Sequence, residues 1–358
     1  MAVIDRTDAP IDLDVGDLYD QYRMMFLIRR FEEAAERQYK AARIGGYCHL
    51  SSGQEAATVG AVSAMQEDDL LVTGYRCHGF ALARGVTPEA VMAELFGRAH
   101  GCAHGRGGSM HLLDVSRGYY GGWGIVGGQL PIATGMALSL VRRGKEQAVL
   151  CELGDGAVNM GAWHESLNLA AVWNLPVVFM VVNNQYGMGT SVERASAEPD
   201  IFKRASAYRI EGERVDGNDL EEVEWATARL LRAAREERRP AVLEAVTYRY
   251  RGHSVADAGL AYRTREEIEE RRLQDPLVRT RESLEARGVP PEGLDALEAE
   301  VEGEVEAAVA YAEQDAAPSV DRLAAGVYAA GSEEQFERMR PGSPAGEEEL
   351  VFAGGLGR

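Results

Sequence analysis

Residues 147–184, QAVLCELGDGAVNMGAWHESLNLAAVWNLPVVFMVVNN, decide the architecture. AVLCEL and PVVFMVV are short, unbroken apolar runs, and the stretch between them is long enough for one amphipathic helix. Strands buried on both faces read this way, whereas a half-exposed strand alternates. The expectation is a strand over 147–153, a helix over 160–173 and a second parallel strand over 177–183, which is one βαβ unit. Ligands of open α/β sheets bind beyond the carboxyl ends of the strands. The first strand ends in Gly154-Asp155-Gly156 and the second in Asn183-Asn184, so a carboxylate and an amide oxygen are expected side by side on one rim.

Working outward, the same alternation continues, with a helix expected over 129–142, another over 219–237 and a strand over 241–247. The fold class is therefore α/β: a doubly wound, mostly parallel sheet flanked by helices. Upstream, residues 17–42 place apolar groups at Leu18, Tyr22, Met25, Phe26 and Ile28 to Phe31, close to helical spacing with a wide apolar face. Such a helix belongs under a larger body or a partner. From about 265 the sequence turns charged and helix-favouring, which predicts a C-terminal helical extension.

The whole chain has 358 residues, with 38 Lys and Arg against 57 Asp and Glu, a formal charge of −19. That balance argues against nucleic acid and anionic membrane as partners, although local Arg, His and backbone N–H groups can still hold an anionic cofactor. Cys48, Cys77, Cys102 and Cys151 are scattered singly, without disulfide or CxxC spacing, which fits a reducing, cytoplasmic setting. The first residues, MAVIDRTDAPIDLD, lack the order of a signal peptide, and no apolar run approaches the roughly 18 residues a membrane span requires.

Mg²⁺ takes hard oxygen ligands and commonly bridges one or two protein groups to a diphosphate. Asp155 and Asn184 have that chemistry, and the glycines beside Asp155 let backbone N–H groups at a helix start face phosphate. GDG alone is also an ordinary turn; the strand context and the later NN make it a cofactor motif. Taken with GYCHLSSGQEA (46–56), TGYRCHGFALARG (73–85), GRGGSMHL (105–112), YGGWGIVGGQLP (120–131), GDGAVNMG (154–161), NNQYGMGTSVERA (183–195) and YRYRGHSVAD (248–257), it resembles a family. These segments are similar, in order and spacing over most of residues 20 to 270, to the alpha subunits of the first, thiamine-diphosphate-dependent component of 2-oxo acid dehydrogenase complexes, the pyruvate enzymes above all.

The resemblance implies a thiamine-diphosphate-binding domain over 17–265; the composition around it marks a flexible leader over 1–16, the helical extension over 266–332 and a Gly-, Pro- and Glu-rich tail over 333–358. It implies that Asp155, Asn184 and the main-chain carbonyl of Tyr186 hold Mg²⁺, and that Gly156 and Ala157 contact the diphosphate. Tyr75 and Arg76 match the pair that reaches the phosphate end of the cofactor. Gly124 and Val126 match positions beside its aminopyrimidine. His253 matches an active-site histidine on the diphosphate, and His49 a second one near bound substrate. Catalytic roles would fall to His49 and His253, since histidine can donate to a developing oxyanion or carry a proton near neutral pH. Ser254 is retained, whereas Ala261 stands where animal relatives carry a second phosphorylatable serine.

The implied activity is decarboxylation of pyruvate with reductive acetylation of a lipoyl group on an acyltransferase component. The chain holds one thiamine-type unit, and the glutamate that bonds the pyrimidine ring belongs in this family to another chain, so a beta subunit is implied, in a two-alpha two-beta assembly. The alternatives are the same chemistry on a branched-chain 2-oxo acid or acetoin, and a noncatalytic cofactor-binding assembly subunit. Two further motifs compete. Gly122-Trp-Gly124-Ile-Val-Gly127 formally matches GxGxxG, but no apolar strand is expected to feed it and no acidic strand end follows at the right distance. His100-Gly-Cys102-Ala-His104 has no standard zinc spacing. His78 reads as a hydrogen-bonded structural residue.

Overall fold

The computed structural model describes residues 13–320. Its centre is the pair expected from the sequence, β3 (Val149–Gly154) and β4 (Val177–Asn183), joined by α6 (Gly161–Trp173). α6 stops because Asn174 takes the left-handed conformation at φ 50°, which asparagine tolerates and which frees the chain to turn back. The strands run parallel in the register Val149↔Val177 through Gly154↔Val182. That register brings the residues after Gly154 and after Val182 out at the same edge.

Around this pair lie β1 (Leu70–Gly74), β2 (Tyr119–Trp123), β7 (Glu211–Asp216) and β8 (Ala241–Val246), giving one six-stranded sheet in the order β2-β1-β3-β4-β8-β7. Every neighbouring pair is parallel. A two-stranded antiparallel hairpin, β5 (Tyr186–Gly187) and β6 (Thr190–Ser191), projects beyond the end of β4.

Side chains alternate across a strand, so a doubly covered sheet must feed two cores. In β4, Val178, Met180 and Val182 enter one apolar cluster, whereas Val177, Phe179 and Val181 enter the other. The second core is closed by α5 (Gln129–Arg142) and α6. The first is closed by α1 (Val15–Lys40), α2 (Glu55–Ser63), α3 (His78–Ala83), α4 (Pro88–Leu95) and α8 (Leu220–Glu237), whose Asp219 side chain accepts the Glu222 N–H at 3.0 Å as an N-cap. A short turn of helix, α7 (Val192–Ala195), follows the hairpin.

The C-terminal charged region forms α9 (Arg265–Arg272), α10 (Pro276–Ala286) and α11 (Pro291–Gln314). Leu294, Leu297, Val301, Val305, Ala308 and Ala312 recur at helical spacing on α11 and are buried against α1 and α4. The expected tail over 333–358, and part of the leader and of the extension, lie outside the described residues.

The reading of residues 119–123 needs correction. A strand does feed the GWGIVG loop, and α5 follows it, although no strand was expected there. YYGGW contains two glycines and no aliphatic residue, so neither an apolar run nor β-branching announces it. Gly121 earns its place sterically: at φ 95° a Cβ would come within 3.1 Å of the Leu112 carbonyl oxygen.

Candidate active site

The rim formed by the ends of β1, β3, β4 and β8 borders a cavity of about 350 Å³, at the lower end of the range for small-molecule sites. Asp155 opens a 3-10 turn (Asp155–Asn159) directly after β3. The Asn184 backbone N–H faces the Asp155 carboxylate and pulls its pKa down, and both residues line the cavity, so the two strand tips meet there. Gly187 packs on Gly156 so closely that a Cβ there would lie 3.3 Å from the Gly156 Cα. Burial raises the Asp155 carboxyl to about 6, against the opposing pull of backbone N–H groups and of Arg249 and Arg76.

The hairpin beyond β4 carries strain. Gln185 and Met188 hold φ values of 77° and 54°, a region non-glycine residues rarely enter. The result turns the Tyr186 carbonyl inward, where Arg249 meets it. Arg249, almost wholly buried, donates to the Tyr186 carbonyl at 3.1 Å and the Asn184 Oδ1 at 3.3 Å, and also to the Met188 carbonyl at 3.1 Å. Three main-chain and side-chain oxygens thus already serve a cation.

Tyr75 and Arg76 leave the end of β1 and line the cavity. Arg76 donates to the Leu50 and His253 carbonyls, and burial together with the adjacent Arg249 lowers it to about 10. Val126, Gly156, Ala157, Asn184, Tyr186 and His253 also line the cavity. Gly124 sits one step outside, between Trp123 and Val126, with the His111 ring 3.0 Å from where its Cβ would be. His49 is likewise behind the lining: its ring centre is 4.6 Å from that of Tyr75 and 5.1 Å from that of His253.

Burial, reinforced by Arg76, depresses both imidazoles, His49 to about 3 and His253 to about 4, so both are neutral at pH 7. Each keeps a buried Nδ1 without a partner. The loop carrying His253 is drawn together by Asp257, which accepts the His253 N–H at 2.7 Å, the Gly259 N–H at 2.8 Å and the Tyr262 hydroxyl at 2.7 Å. Only glycine fits at 252, where a Cβ would lie 1.8 Å from the Asp257 carbonyl oxygen.

Several lining residues escaped the sequence reading. Gln54, Gln129 and Glu152 face the cavity, and Gln54 Nε2, Gln129 Oε1 and the Trp123 Nε1 are buried without partners. Arg249 and Gln54 lie inside quoted segments; Glu152 carried no signal, being one polar residue in an apolar strand. Burial pushes its carboxyl up to about 7 while it accepts the Gly74 N–H at 2.8 Å.

A diphosphate with a divalent cation fits this lining. Asp155 carboxylate, Asn184 amide oxygen and Tyr186 carbonyl are hard oxygen donors, Arg249 stands on two of them as a cation would, and unpartnered buried polar atoms face the same space. Among the described residues no group of three or more His, Cys, Asp and Glu gathers as a metal cluster. This oxygen set contains one such residue and needs no cluster. The His100–His104 loop is occupied otherwise: the Glu94 carboxylate accepts the N–H groups of Ala103, Gly105, Gly107 and Gly108, and His100 pairs with Asp315 at 2.6 Å.

Residues 22–321 match the family described as the dehydrogenase E1 component. The chain is 42% identical over 308 residues to the pyruvate dehydrogenase E1 component subunit alpha of Rickettsia typhi, covering 86% of this chain and 94% of that one. It is 44% identical over 304 residues to the subunit of the same name from Rhizobium meliloti, covering 84% and 87%. With the somatic, mitochondrial form from Homo sapiens the identity is 43% over 318 residues, covering 88% and 80%.

Proposed function

The chain belongs to the dehydrogenase E1 component family, and from that premise we propose that it works as the alpha subunit of a pyruvate dehydrogenase. It uses thiamine diphosphate to decarboxylate pyruvate and passes the acetyl group to a lipoyl group on an acyltransferase component. The observation that carries this reading is the union of the Asp155 and Asn184 tips on one cavity that Arg76 and His253 also line.

Bound thiamine diphosphate supplies an electron sink for the pair released as carbon dioxide leaves. The residues of this chain bind and orient. Asp155, Asn184 Oδ1 and the Tyr186 carbonyl would hold Mg²⁺, with Arg249 giving up its bonds to the latter two. Backbone N–H groups of Gly156 and Ala157 face the diphosphate, as do Tyr75 and Arg76, the latter as a fixed positive charge. Val126 in the lining and Gly124 just behind it would flank the aminopyrimidine. His253, neutral at pH 7, would donate a hydrogen bond to the diphosphate. His49, also neutral, hydrogen-bonds or exchanges a proton at its free ring nitrogen beside the substrate.

The pyrimidine end needs a second chain, the beta subunit, and the assembly is two alpha and two beta. Ile125 is 75% exposed and Met188 66% exposed, beside lining residues, an apolar rim that a partner would cover. All four cysteines are free, in keeping with a cytoplasmic enzyme, and no helix of the described residues is long and apolar enough to cross a membrane.

The test is turnover by the chain co-purified with its beta partner, with thiamine diphosphate, Mg²⁺ and an artificial electron acceptor. Pyruvate is expected to exceed 3-methyl-2-oxobutanoate and acetoin in kcat/KM by about tenfold or more, the scale of discrimination a few methylenes support. Preference for a branched acid would replace the substrate, and no turnover of any of the three would end the enzymatic reading.

A further inference from the structure

Behind the cavity wall, and lining none of it, three buried side chains form a continuous chain of hydrogen bonds. Glu32 comes from α1, His78 opens α3, and Ser109 sits in the 3-10 turn Gly108–Met110. Glu32 Oε2 lies 2.8 Å from His78 Nδ1, and His78 Nε2 lies 2.8 Å from Ser109 Oγ. The order carboxylate, imidazole, hydroxyl is that of a nucleophilic triad. Its destination differs. Ser109 is buried away from the cavity and its Oγ accepts the backbone N–H of His49 at 3.3 Å.

The other end of the chain returns to the same segment. Glu32 Oε1 accepts both the backbone N–H of Ser51, at 2.8 Å, and its hydroxyl, at 2.7 Å. Residues 49–51 are therefore gripped at both ends by one network. Burial alone would raise the Glu32 carboxyl, but His78 and Ser51 outweigh it and hold it below the usual range, as an anion that can accept all three bonds. Ser109 is itself immobilised, because the loop leading to it is stitched by four N–H groups to the buried Glu94.

We propose that Glu32, His78 and Ser109 are positioning residues: a buried relay that holds the backbone around His49 so that its imidazole faces the substrate beside Tyr75 and His253. The proposal rests on the reading of His49 as the substrate-end histidine. The relay moves no proton to substrate and forms no covalent bond. Its contribution is orientation, and displacement of a catalytic group by about 1 Å can cost on the order of a hundredfold in rate.

Ser109→Ala removes one oxygen and His78→Gln shortens the bridge. In the assembled, cofactor-loaded enzyme each should lower kcat for pyruvate by about ten- to a hundredfold. KM and the calorimetric affinity for thiamine diphosphate should stay within about twofold. The decisive readout is a double-mutant cycle: in a His49→Ala background the same substitutions should cost less than about twofold, because the group they position is gone. Equal losses in both backgrounds, or a loss of cofactor affinity parallel to the loss of rate, would overturn the relay while leaving the pyruvate reading intact. A parent enzyme inactive on every 2-oxo acid removes the functional reading and the relay together.

Discussion

At the carboxyl rim of the sheet, buried polar atoms stand without partners: Nδ1 of His49 and of His253, Gln54 Nε2 and Gln129 Oε1. Two non-glycine residues in the hairpin hold left-handed φ values. In the helical layer of α1, α10 and α11 the charges are matched. Arg29 bridges Glu55 at 2.6 Å and Asp275 at 2.9 Å, Arg281 pairs with Glu285, Asp295 and Glu298, and apolar residues such as Met25 and Val301 are fully buried. One region spends stability on groups aimed at a ligand, and the other supplies the rigidity that keeps them aimed. Unsatisfied polar atoms are costly unless a ligand completes them, so the group that gathers at this rim marks a binding surface, whereas others, such as Gln21 Oε1 on α1, lie scattered through the scaffold.

That contrast predicts separable effects. The largest is expected at Asp155→Ala, which should weaken Mg²⁺-dependent thiamine diphosphate binding by the assembled enzyme by more than about a hundredfold. Its unfolding free energy should not fall, because burial already raises the carboxyl to about 6 and its removal relieves that cost. Calorimetry and urea denaturation measure the two quantities, and undiminished affinity would refute the proposed ligand set.

The mirror experiment is Met25→Ala in the helical layer, where a fully buried side chain is lost. Denaturation should report a loss of about 2–5 kcal/mol from the empty volume and the missing contacts. Cofactor affinity of the folded fraction should be unchanged; a drop in affinity there would erase the division between rim and scaffold.

Glu152 gives the smallest effect and sharpens the boundary, since it belongs to a core strand yet faces the cavity. Its carboxyl is pushed by burial from the ordinary 4.5 up to about 7. The folded state thus holds the proton more tightly than the unfolded chain. The corresponding stability is present in full below about 4.5 and is lost as pH rises through about 7. Glu152→Gln cannot ionise, so relative to the parent it should gain about 2 kcal/mol more at pH 8 than at pH 5. Thermal unfolding at the two pH values reads this directly, and equal gains at both would show that the carboxyl is not buried as described.

Much of the architecture was legible. The strands at AVLCEL and PVVFMVV and the helix over 129–142 are continuous apolar or periodic signals long enough to dominate local propensity, and the structure has them within one or two residues. β2 was not legible, because a strand rich in glycine is held by its neighbour β1 and by close backbone packing. In the site, Asp155 and Asn184 stood out by their place at strand ends. Arg249 and Glu152 did not, because one buried charge in a segment signals nothing until its partners are known.

By itself, the sequence determined the alternation of strand and helix, the exits of β3 and β4 and the residue types that wait there, since these depend on local apolar patterning and on the pleat. The tertiary structure alone decided that residues 75, 155, 184, 249 and 253 meet around one space, with His49 and Ser109 stacked behind its wall. It also decided that Glu32 reaches Ser51 and His78 together. Those meetings rest on strand order and on the packing of helices across the sheet, which are set by long-range burial rather than by any neighbour along the chain.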